Sequence, residues 1–272
     1  MLPFISHEPK EGEPSCHWKN FEEPRLRRFP KSPATFNWKE HLGTGVDGIV
    51  LKAQTGAGNL VAVKIFFDNT QPEAPPGAYR YWAFERECRN CAILEMITTS
   101  LRQASVSGKR HYIHPCPTTK KHAIRNLKAF STEGIGCPPP PHYKSFSPHI
   151  QINTCLGWMV INGHQVRSAL KALGVVPYLK TDESYFAIVY SFVPKGDLDE
   201  DIIQSHLDFF YLAGFECVPL KEDNWRGSGI LVDFSDLVSP HAPEWDRFKY
   251  GRMVKTKLGF YDLERPNRTK TN

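Results

Sequence analysis

The sequence lacks the long apolar runs and the leader features that mark membrane and secreted proteins. Its apolar stretches, such as Phe186 to Tyr190, are far shorter than the roughly 20 residues that a membrane-spanning helix needs. The first residues, Met1 to His7, have no basic start and no apolar core, and therefore do not predict a secretory signal. No serine stands in a Gly-x-Ser-x-Gly turn, and no internal repeat is visible. We therefore expect an intracellular chain that does not associate with membranes.

Cysteine is present without the number or spacing of a disulfide framework. Seven cysteines, an odd number, are spread over the whole chain, which is typical of a reducing compartment. Cys88 and Cys91 form a Cys-x-x-Cys pair, and His111 and His114 follow with the same spacing. These residue types bind zinc. Because the cysteines lie in a predicted helix and no second Cys-x-x-Cys exists, we favour core cysteines over the zinc alternative.

The composition is that of a folded chain with mixed charges. Of the 272 residues, 40% are hydrophobic and 23% are charged, so the chain can bury a substantial core. The formal net charge is only +5, but residues 247–272 hold eight basic side chains against Asp262 and Glu264. We interpret residues 246–272 as a solvated basic tail, with docking to an acidic partner or nucleic acid as the alternative. Direct binding of nucleic acid is not expected.

Proline, glycine and apolar periodicity divide the chain into segments. Residues 1–35 are polar and interrupted by prolines, which predicts an extended N-terminal arm. Residues 104–150, with the proline run 138–141, predict a linker or surface insertion. Strands are predicted at residues 36–42, 49–53, 60–66, 150–152, 157–161, 186–193 and 231–234, and helices at 79–101, 166–173 and 197–212. Asp197 is the expected N-cap of the last helix.

A glycine-rich motif lies between the first two predicted strands. Gly43, Gly45 and Gly48 form Gly-x-Gly-x-x-Gly-x-Val, which ends at Val50. In dinucleotide-binding folds such glycines open a helix, whereas here a strand precedes them and another follows. That context is typical of the loop that covers the phosphates of ATP in protein kinases. An ordinary hairpin is the alternative.

A lysine and a glutamate follow in the order that a kinase requires. Lys64 ends the sequence Val-Ala-Val-Lys in a predicted strand, and the next helix offers Glu85 or Glu87 as its carboxylate partner. We favour Glu87, because the run that begins there keeps its apolar residues on the inner side. The separate alternatives are a plain hairpin and an exposed lysine.

Residues 36–240 resemble the protein-kinase fold, and residues 187–198 resemble a kinase hinge. The resemblance implies an α+β, protein-kinase-like domain at 36–245. Its β-rich N-lobe (about 36–193, including the insertion 104–150) would carry the glycine-rich loop and one helix, and its C-lobe (about 194–245) would be truncated. In this arrangement Ser191 and Val193 would contact the nucleotide.

A narrower resemblance concerns three short sequences. Glu-Cys-Arg at residues 87–89, Leu-Val-Asp-Phe-Ser at 231–235 and Pro-His at 240–241 resemble a fungal family of kinase-like kinetochore subunits, the Fta-two family. That family implies a nuclear protein that assembles with protein partners in a kinetochore-type complex at the centromere.

The segment that corresponds to the kinase catalytic loop lacks its base. Residues 217–224 read Cys-Val-Pro-Leu-Lys-Glu-Asp-Asn where a kinase has His-Arg-Asp-Leu-Lys-x-x-Asn, so Pro219 replaces the catalytic aspartate. Proline has no side chain that accepts a proton, and we assign no catalytic residue. Asn224 and Asp233 match the two magnesium ligands. Glu216, Glu222 or Asp223 is the alternative source of a base.

The resemblance therefore implies a kinase-like scaffold, of the pseudokinase type, that binds protein partners. ATP and magnesium are the candidate cofactors. The predicted nucleotide-binding residues are Gly43, Gly45, Gly48, Val50, Lys64, Glu87, Ser191 and Val193, and the predicted metal ligands are Asn224 and Asp233. The alternatives are a small phosphotransferase that uses Mg-ATP on a small-molecule or protein hydroxyl, and an ATP-dependent switch without turnover. Tyr190, behind the hinge, is bulky enough to narrow the nucleotide pocket.

Overall fold

The computed structural model describes residues 2–73, 80–135, 137–176, 179–217, 221–255 and 261–264. The chain divides into two units. The first consists of residues 1–13, 24–92 and 153–193, and the second of residues 14–23, 93–152 and 194–272. Strands and helices both occur along the chain, which confirms the α+β class. In the part of the chain that the structure describes, no helix is long and apolar enough to cross a membrane.

The elements are numbered in chain order. The strands are β1 (Ile5–Pro9), β2 (Leu26–Arg28), β3 (Asn37–Thr44), β4 (Gly48–Gln54), β5 (Leu60–Phe66), β6 (His111–Ile113), β7 (Lys144–Phe146), β8 (Cys155–Asn162), β9 (Ser184–Ser191), β10 (Glu216–Cys217), β11 (Trp225–Arg226), β12 (Ile230–Leu231), β13 (Leu237–Val238), β14 (Arg252–Lys255) and β15 (Tyr261–Glu264). The helices are α1 (Trp18–Glu22), α2 (Ala83–Ser107), α3 (Lys120–Lys128), α4 (Thr132–Ile135), α5 (Gly163–Ala172) and α6 (Glu200–Leu212).

Seven strands of the first unit form one mixed sheet, in the order β1-β2-β8-β9-β5-β4-β3. The pairs β1–β2 and β2–β8 are parallel, and the other neighbours are antiparallel. The central strands β5 and β9 are rich in β-branched and aromatic residues, which suit a buried pleated surface. Gly58, with a φ of 85°, permits the tight turn between β4 and β5.

The two faces of this sheet pack against different helices, because successive residues of a strand point to opposite faces. On one face, Leu51, Val63 and Val189 share a buried core with Val166 and Leu170 of α5. On the other face, the β9 side chain Phe186 stacks on Phe84 of α2, with ring centroids 4.4 Å apart. The first turns of α2 therefore cover the face of the sheet that carries Lys64.

The N-terminal residues differ from the extended arm that the sequence predicts for residues 1–35. β1 and β2 are two strands of the large sheet. Phe4 is buried, and its ring meets the edges of Trp82 and Phe84 at centroid distances of 5.5 and 5.7 Å. The frequent prolines of this segment concealed the strands, since β2 is only three residues long.

Of the two predictions for residues 104–150, a linker or a surface insertion, the linker is wrong, because the segment contains β6, α3, α4 and β7. Ala123 and Leu127 form the buried side of α3. The Asn126 side chain accepts a hydrogen bond from the His114 amide (2.7 Å) and donates to the carbonyls of His114 (3.0 Å) and Leu212 (2.9 Å). The segment shows no clear apolar periodicity, and these hydrogen bonds of the buried Asn126 side chain help to hold it in place.

Other predicted elements shift in smaller ways. Residues 150–152 are not a strand, and the next strand, β8, begins at Cys155. The predicted strand 231–234 is reduced to β12, followed by a 3-10 turn at Phe234–Asp236. The predicted tail 246–272 contains β14 paired with β15, and Arg252 of β14 donates to both carboxylate oxygens of Asp208 at 2.6 and 2.8 Å.

Helix α6 begins after Asp199 and not after the predicted cap Asp197. Asp199 Oδ1 accepts hydrogen bonds from the amides of Asp201 (2.9 Å) and Ile202 (3.1 Å). We expect Asp199→Ala to lower the free energy of unfolding by about 1 kcal/mol in urea denaturation, because two N-terminal amides lose their acceptor. Asp197→Ala removes a neighbouring carboxylate that does not cap the helix, and it should leave stability unchanged within about 0.5 kcal/mol. An equal loss in both variants would contradict the assignment of the cap.

Candidate functional site

Three of the predicted nucleotide-binding residues lie in one row across neighbouring strands. Gly43 of β3 is directly opposite Val50 of β4, and Val50 is directly opposite Lys64 of β5. Directly opposed residues of antiparallel strands point to the same face. The glycine motif and the lysine are therefore brought together on the face that α2 covers.

The remaining predicted residues of this unit lie at the ends of the same strands. Gly48 begins β4 and is opposite Phe66. Ser191 ends β9 opposite Val61 of β5, and Val193 follows two residues later. Gly48 and Ser191 therefore lie beside opposite ends of β5 and not next to each other.

Lys64 forms a buried ion pair with Glu87 of α2. The Lys64 Nζ atom lies 2.6 Å from Glu87 Oε2, and the side chains are only 9% and 0% exposed. The other candidate partner, Glu85, instead pairs with Arg89 one helical turn later, at 2.9 Å. Two charges in such a dry place are stable only when each is paired and hydrogen-bonded.

Tyr190 supplies the second hydrogen bond to the same carboxylate. Its hydroxyl donates to Glu87 Oε1 at 2.5 Å and lies 3.2 Å from Cys91 Sγ. Burial, together with the neighbouring Cys91 and Glu87, raises the pKa of Tyr190, so the phenol remains a proton donor. The sequence placed Tyr190 behind the hinge without a partner. In the structure Tyr190 is opposite Ala62, two residues from Lys64, so its side chain lies on the same face of the sheet as Lys64. This register depends on the pairing of β9 with β5.

The three glycines of the motif have different structural needs. A Cβ on Gly48 would lie 2.3 Å from the Ile65 carbonyl oxygen, so the fold itself requires glycine there. A Cβ on Gly43 would meet no atom within 4 Å, and one on Gly45 would only reach the Gly48 carbonyl oxygen at 4.0 Å. None of the three has a positive φ. Gly43 and Gly45 are thus not required by the packing, whereas close approach of a ligand to the backbone would require them.

The predicted metal ligands lie in the second unit, close to each other along the β11–β12 hairpin. The Asn224 side chain donates to Asp236 Oδ2 at 2.5 Å, and the backbone carbonyl of Asn224 accepts from the Val232 amide at 2.8 Å. Asp233 caps a 3-10 turn, since its Oδ1 accepts from the amide (3.0 Å) and the hydroxyl (2.6 Å) of Ser235. The sequence analysis did not identify Asp236. This residue lies three positions after Asp233 and reaches Asn224 only because the 3-10 turn brings it there.

Other predicted chemistry can be located with the same geometry. Pro219 lies outside the described residues. Glu216 is buried and accepts from the Asp246 amide at 2.9 Å, whereas Glu222 and Asp223 are exposed. In the described ranges, no cluster of three or more His, Cys, Asp or Glu side chains could hold a metal ion.

The structure also bears on the zinc alternative. Cys88 and Cys91 are buried in α2, and burial raises the pKa of both thiols well above the usual value. A thiol with a raised pKa is a poor metal ligand and a poor nucleophile, since the thiolate is the reactive form. These two cysteines are core residues, as the sequence favoured.

A scan of the chain against models of known protein families found no match, and a search among curated proteins also found none.

Proposed function

We propose that this chain is a kinase-like scaffold of the pseudokinase type, which retains a nucleotide-binding half-site and assembles protein partners. The buried Lys64–Glu87 pair carries the proposal, because it lies in one row with the glycine motif. In kinases a strand lysine held by a helix glutamate contacts the phosphates of ATP. An ion pair this dry is rarely kept for stability alone, since apolar residues of equal volume would serve as well.

The connectivity of the first unit supports the same proposal. Five antiparallel strands run in the order β3-β4-β5-β9-β8, with the glycine motif between β3 and β4 and with α2 after β5. This is the order in which a kinase needs its phosphate loop, its lysine and its glutamate. The second unit resumes at Pro194, within the segment 187–198 that resembles a hinge.

The residues present suit ATP and magnesium as chemical groups. In the first unit, Lys64 would contact phosphate, while the backbones of Gly43, Gly45, Ser191 and Val193 would line the ligand. In the second unit, the oxygens of Asn224, Asp233 and Asp236 are the hard ligands that magnesium prefers. Magnesium, when bound to these oxygens, would supply a localised positive charge in that unit.

Efficient phosphoryl transfer is not part of the proposal, because Pro219 offers no base. Loss of a general base typically costs 10²–10⁴-fold in rate. Glu216 already accepts a backbone hydrogen bond in a buried position, which makes it a poor substitute. A slow phosphotransferase is the second candidate function, and the retained Lys64–Glu87 pair is the observation that supports it. Release of ADP in the presence of an acceptor hydroxyl would identify this activity.

The partners belong to the proposal through the resemblance to the Fta-two family. We propose a kinetochore-type protein complex and a nuclear location. The scaffold would dock through folded surfaces, because residues 1–35, predicted as an extended arm, and residues 104–150, predicted as a linker or surface insertion, both contain strands and helices.

We expect Mg-ATP to raise the melting temperature of the wild-type protein, since a ligand at 100 times its dissociation constant contributes about 2.7 kcal/mol. The double variant Gly43→Ala/Gly45→Ala should melt at the wild-type temperature without ligand and lose most of the shift. Its new methyl groups enter open space in the protein but occupy the approach of the phosphates. Thermal denaturation with and without Mg-ATP measures both quantities.

Gly56→Ala is the matched control, because a Cβ there also meets no atom within 4 Å and the residue lies in a different turn of the same sheet. It should keep the full shift. A shift that survives in the double variant would place the nucleotide elsewhere. No shift in the wild type at millimolar Mg-ATP would refute nucleotide binding and leave only the scaffold.

A further inference from the structure

Two segments of the chain carry a strong excess of positive charge, residues 247–272 described above and residues 104–150. The second of these holds seven Lys and Arg side chains and one carboxylate, Glu133, so its formal charge is +6 against +5 for the whole chain. Glu133 is engaged in other contacts, since its Oε2 accepts from the Trp18 amide at 2.8 Å and its Oε1 lies 3.3 Å from His17 Nδ1. The segment therefore presents a cationic surface with little internal neutralisation.

Helix α3 displays this charge along one face. Lys121, Arg125 and Lys128 are exposed and follow at spacings of four and three residues, opposite the buried Ala123 and Leu127. At 1.5 Å per residue, the three cations span about 10 Å of the helix axis. Within the described ranges no carboxylate pairs with Lys121, Arg125 or Lys128. Three nucleotides of one strand of a B-form duplex rise by the same distance, about 3.4 Å each.

A group of aromatic rings lies beside this face. The imidazoles of His114 and His122 are stacked, with centroids 4.3 Å apart and planes at 12°. His142 meets His114 edge-on at 5.1 Å, and Tyr143 contacts both His114 and His142. His122 belongs to α3 and lies between Lys121 and Arg125 in sequence. Cations that alternate with rings suit a polyanion that carries flat bases.

We propose that the α3 face, formed by Lys121, Arg125 and Lys128 with the rings of His114, His122 and His142, binds the phosphodiester backbone of a nucleic acid. This surface is distinct from the basic tail that the sequence suggested, and it lies within the second unit. The three long side chains would neutralise successive phosphates. His114 and His122 accept backbone amides at Nδ1, from Cys116 (3.1 Å) and Thr118 (3.3 Å), so their neutral rings carry the proton on Nε2 and can donate it to phosphate oxygens.

The neutral state of these rings fits that role. Burial lowers the pKa of His114, with His122 and His142 adding to the effect, and burial with Arg125 lowers the pKa of His122. Both rings are therefore neutral at pH 7, and their contribution to binding needs no uptake of protons.

The test is fluorescence anisotropy of a labelled DNA duplex of about 20 base pairs, titrated with the full chain between 50 and 200 mM salt. Three neutralised phosphates correspond to a slope of about −2.7 in log K against log salt, which weakens binding about 40-fold across this range. Lys121→Gln/Arg125→Gln/Lys128→Gln should reduce the magnitude of the slope by about 2.7. The matched control Lys39→Gln/Lys171→Gln/Lys195→Gln removes three exposed positive charges elsewhere and should leave the slope unchanged.

Equal changes in both triple variants would overturn the proposal, because they would reflect net charge alone. No effect of the α3 variant, or no binding by the wild type, would overturn it as well. Displacement of the duplex by polyglutamate as efficiently as by unlabelled duplex would assign the surface to an acidic protein partner instead. Circular dichroism of the variants checks that the exposed substitutions leave the fold intact.

Discussion

Replacing Glu87 with alanine is expected to lower the free energy of unfolding by about 3–5 kcal/mol. The change leaves the Lys64 ammonium buried without its carboxylate and removes the acceptor of the Tyr190 hydroxyl. Glu85→Ala, two residues away on the same helix, removes a carboxylate that is 20% exposed from a pair with Arg89 and should cost no more than about 1 kcal/mol. Urea denaturation of both variants measures the difference.

The double variant Lys64→Met/Glu87→Leu separates the cost of an orphaned charge from the worth of the pair. Both charges are then absent, and we expect stability within about 2 kcal/mol of the wild type, because apolar residues of similar volume often replace a buried pair at little cost. The same variant should lose the thermal shift with Mg-ATP. A loss as large as that of Glu87→Ala would show that the pair is retained for stability, and it would weaken the proposed nucleotide site.

The sequence predicted this pair from the order of its motifs and not from a strong periodicity. The run 60–66 is apolar except for Lys64, and the order of glycine loop, strand lysine and helix glutamate directed attention to Glu85 and Glu87. Tyr190 could not be placed in the same way. Its position depends on the pairing of β9 with β5. The resulting contact joins Tyr190 to Glu87, which lies more than 100 positions earlier in the chain. The order of motifs along the chain can therefore predict a pair such as Lys64 and Glu87, whereas a residue that joins them from another strand depends on the sheet topology.

The segments that were not predicted from the sequence have no apolar periodicity, and individual contacts hold them in place. Three-residue strands such as β2 and β6 carry no detectable alternation, and prolines around them suggest loops. Asn126 connects the insertion to α6 through side-chain hydrogen bonds. Asp236 reaches Asn224 through a 3-10 turn that Asp233 caps. Such polar contacts are specified by three-dimensional neighbours and leave no regular pattern in the chain.

Acidification from pH 7 to pH 4 is expected to remove several kcal/mol of stability through two buried histidines of the second unit. Burial lowers the pKa of His111 and of His206 from 6.5 to about 4. His111 shares a buried hydrogen bond with the Ser100 hydroxyl at 2.9 Å, and His206 packs against the rings of Phe210 and Trp225. Both sites hold a neutral imidazole, and among the residues that the structure describes no carboxylate opposes the effect of burial on either pKa.

The direction follows from proton counts. Between pH 6.5 and pH 4 the unfolded chain binds protons at both histidines while the folded chain does not, so the free energy of unfolding falls as the pH falls. A pKa lowered from 6.5 to about 4 corresponds to roughly 3 kcal/mol for each residue at the acid end of that window. Above pH 6.5 both states are neutral at these sites, and this stabilisation is fully present.

His206→Leu isolates one of the two contributions, because the Nδ1 atom of His206 has no hydrogen-bond partner in the structure and the site is apolar. We expect the slope of unfolding free energy against pH to fall by up to about 1.4 kcal/mol per pH unit between pH 6 and 4.5. His149→Leu, which removes an exposed imidazole, should keep the wild-type slope. If both variants keep that slope in urea titrations, acid sensitivity arises at other groups, and the neutral state of His206 is not what links stability to pH.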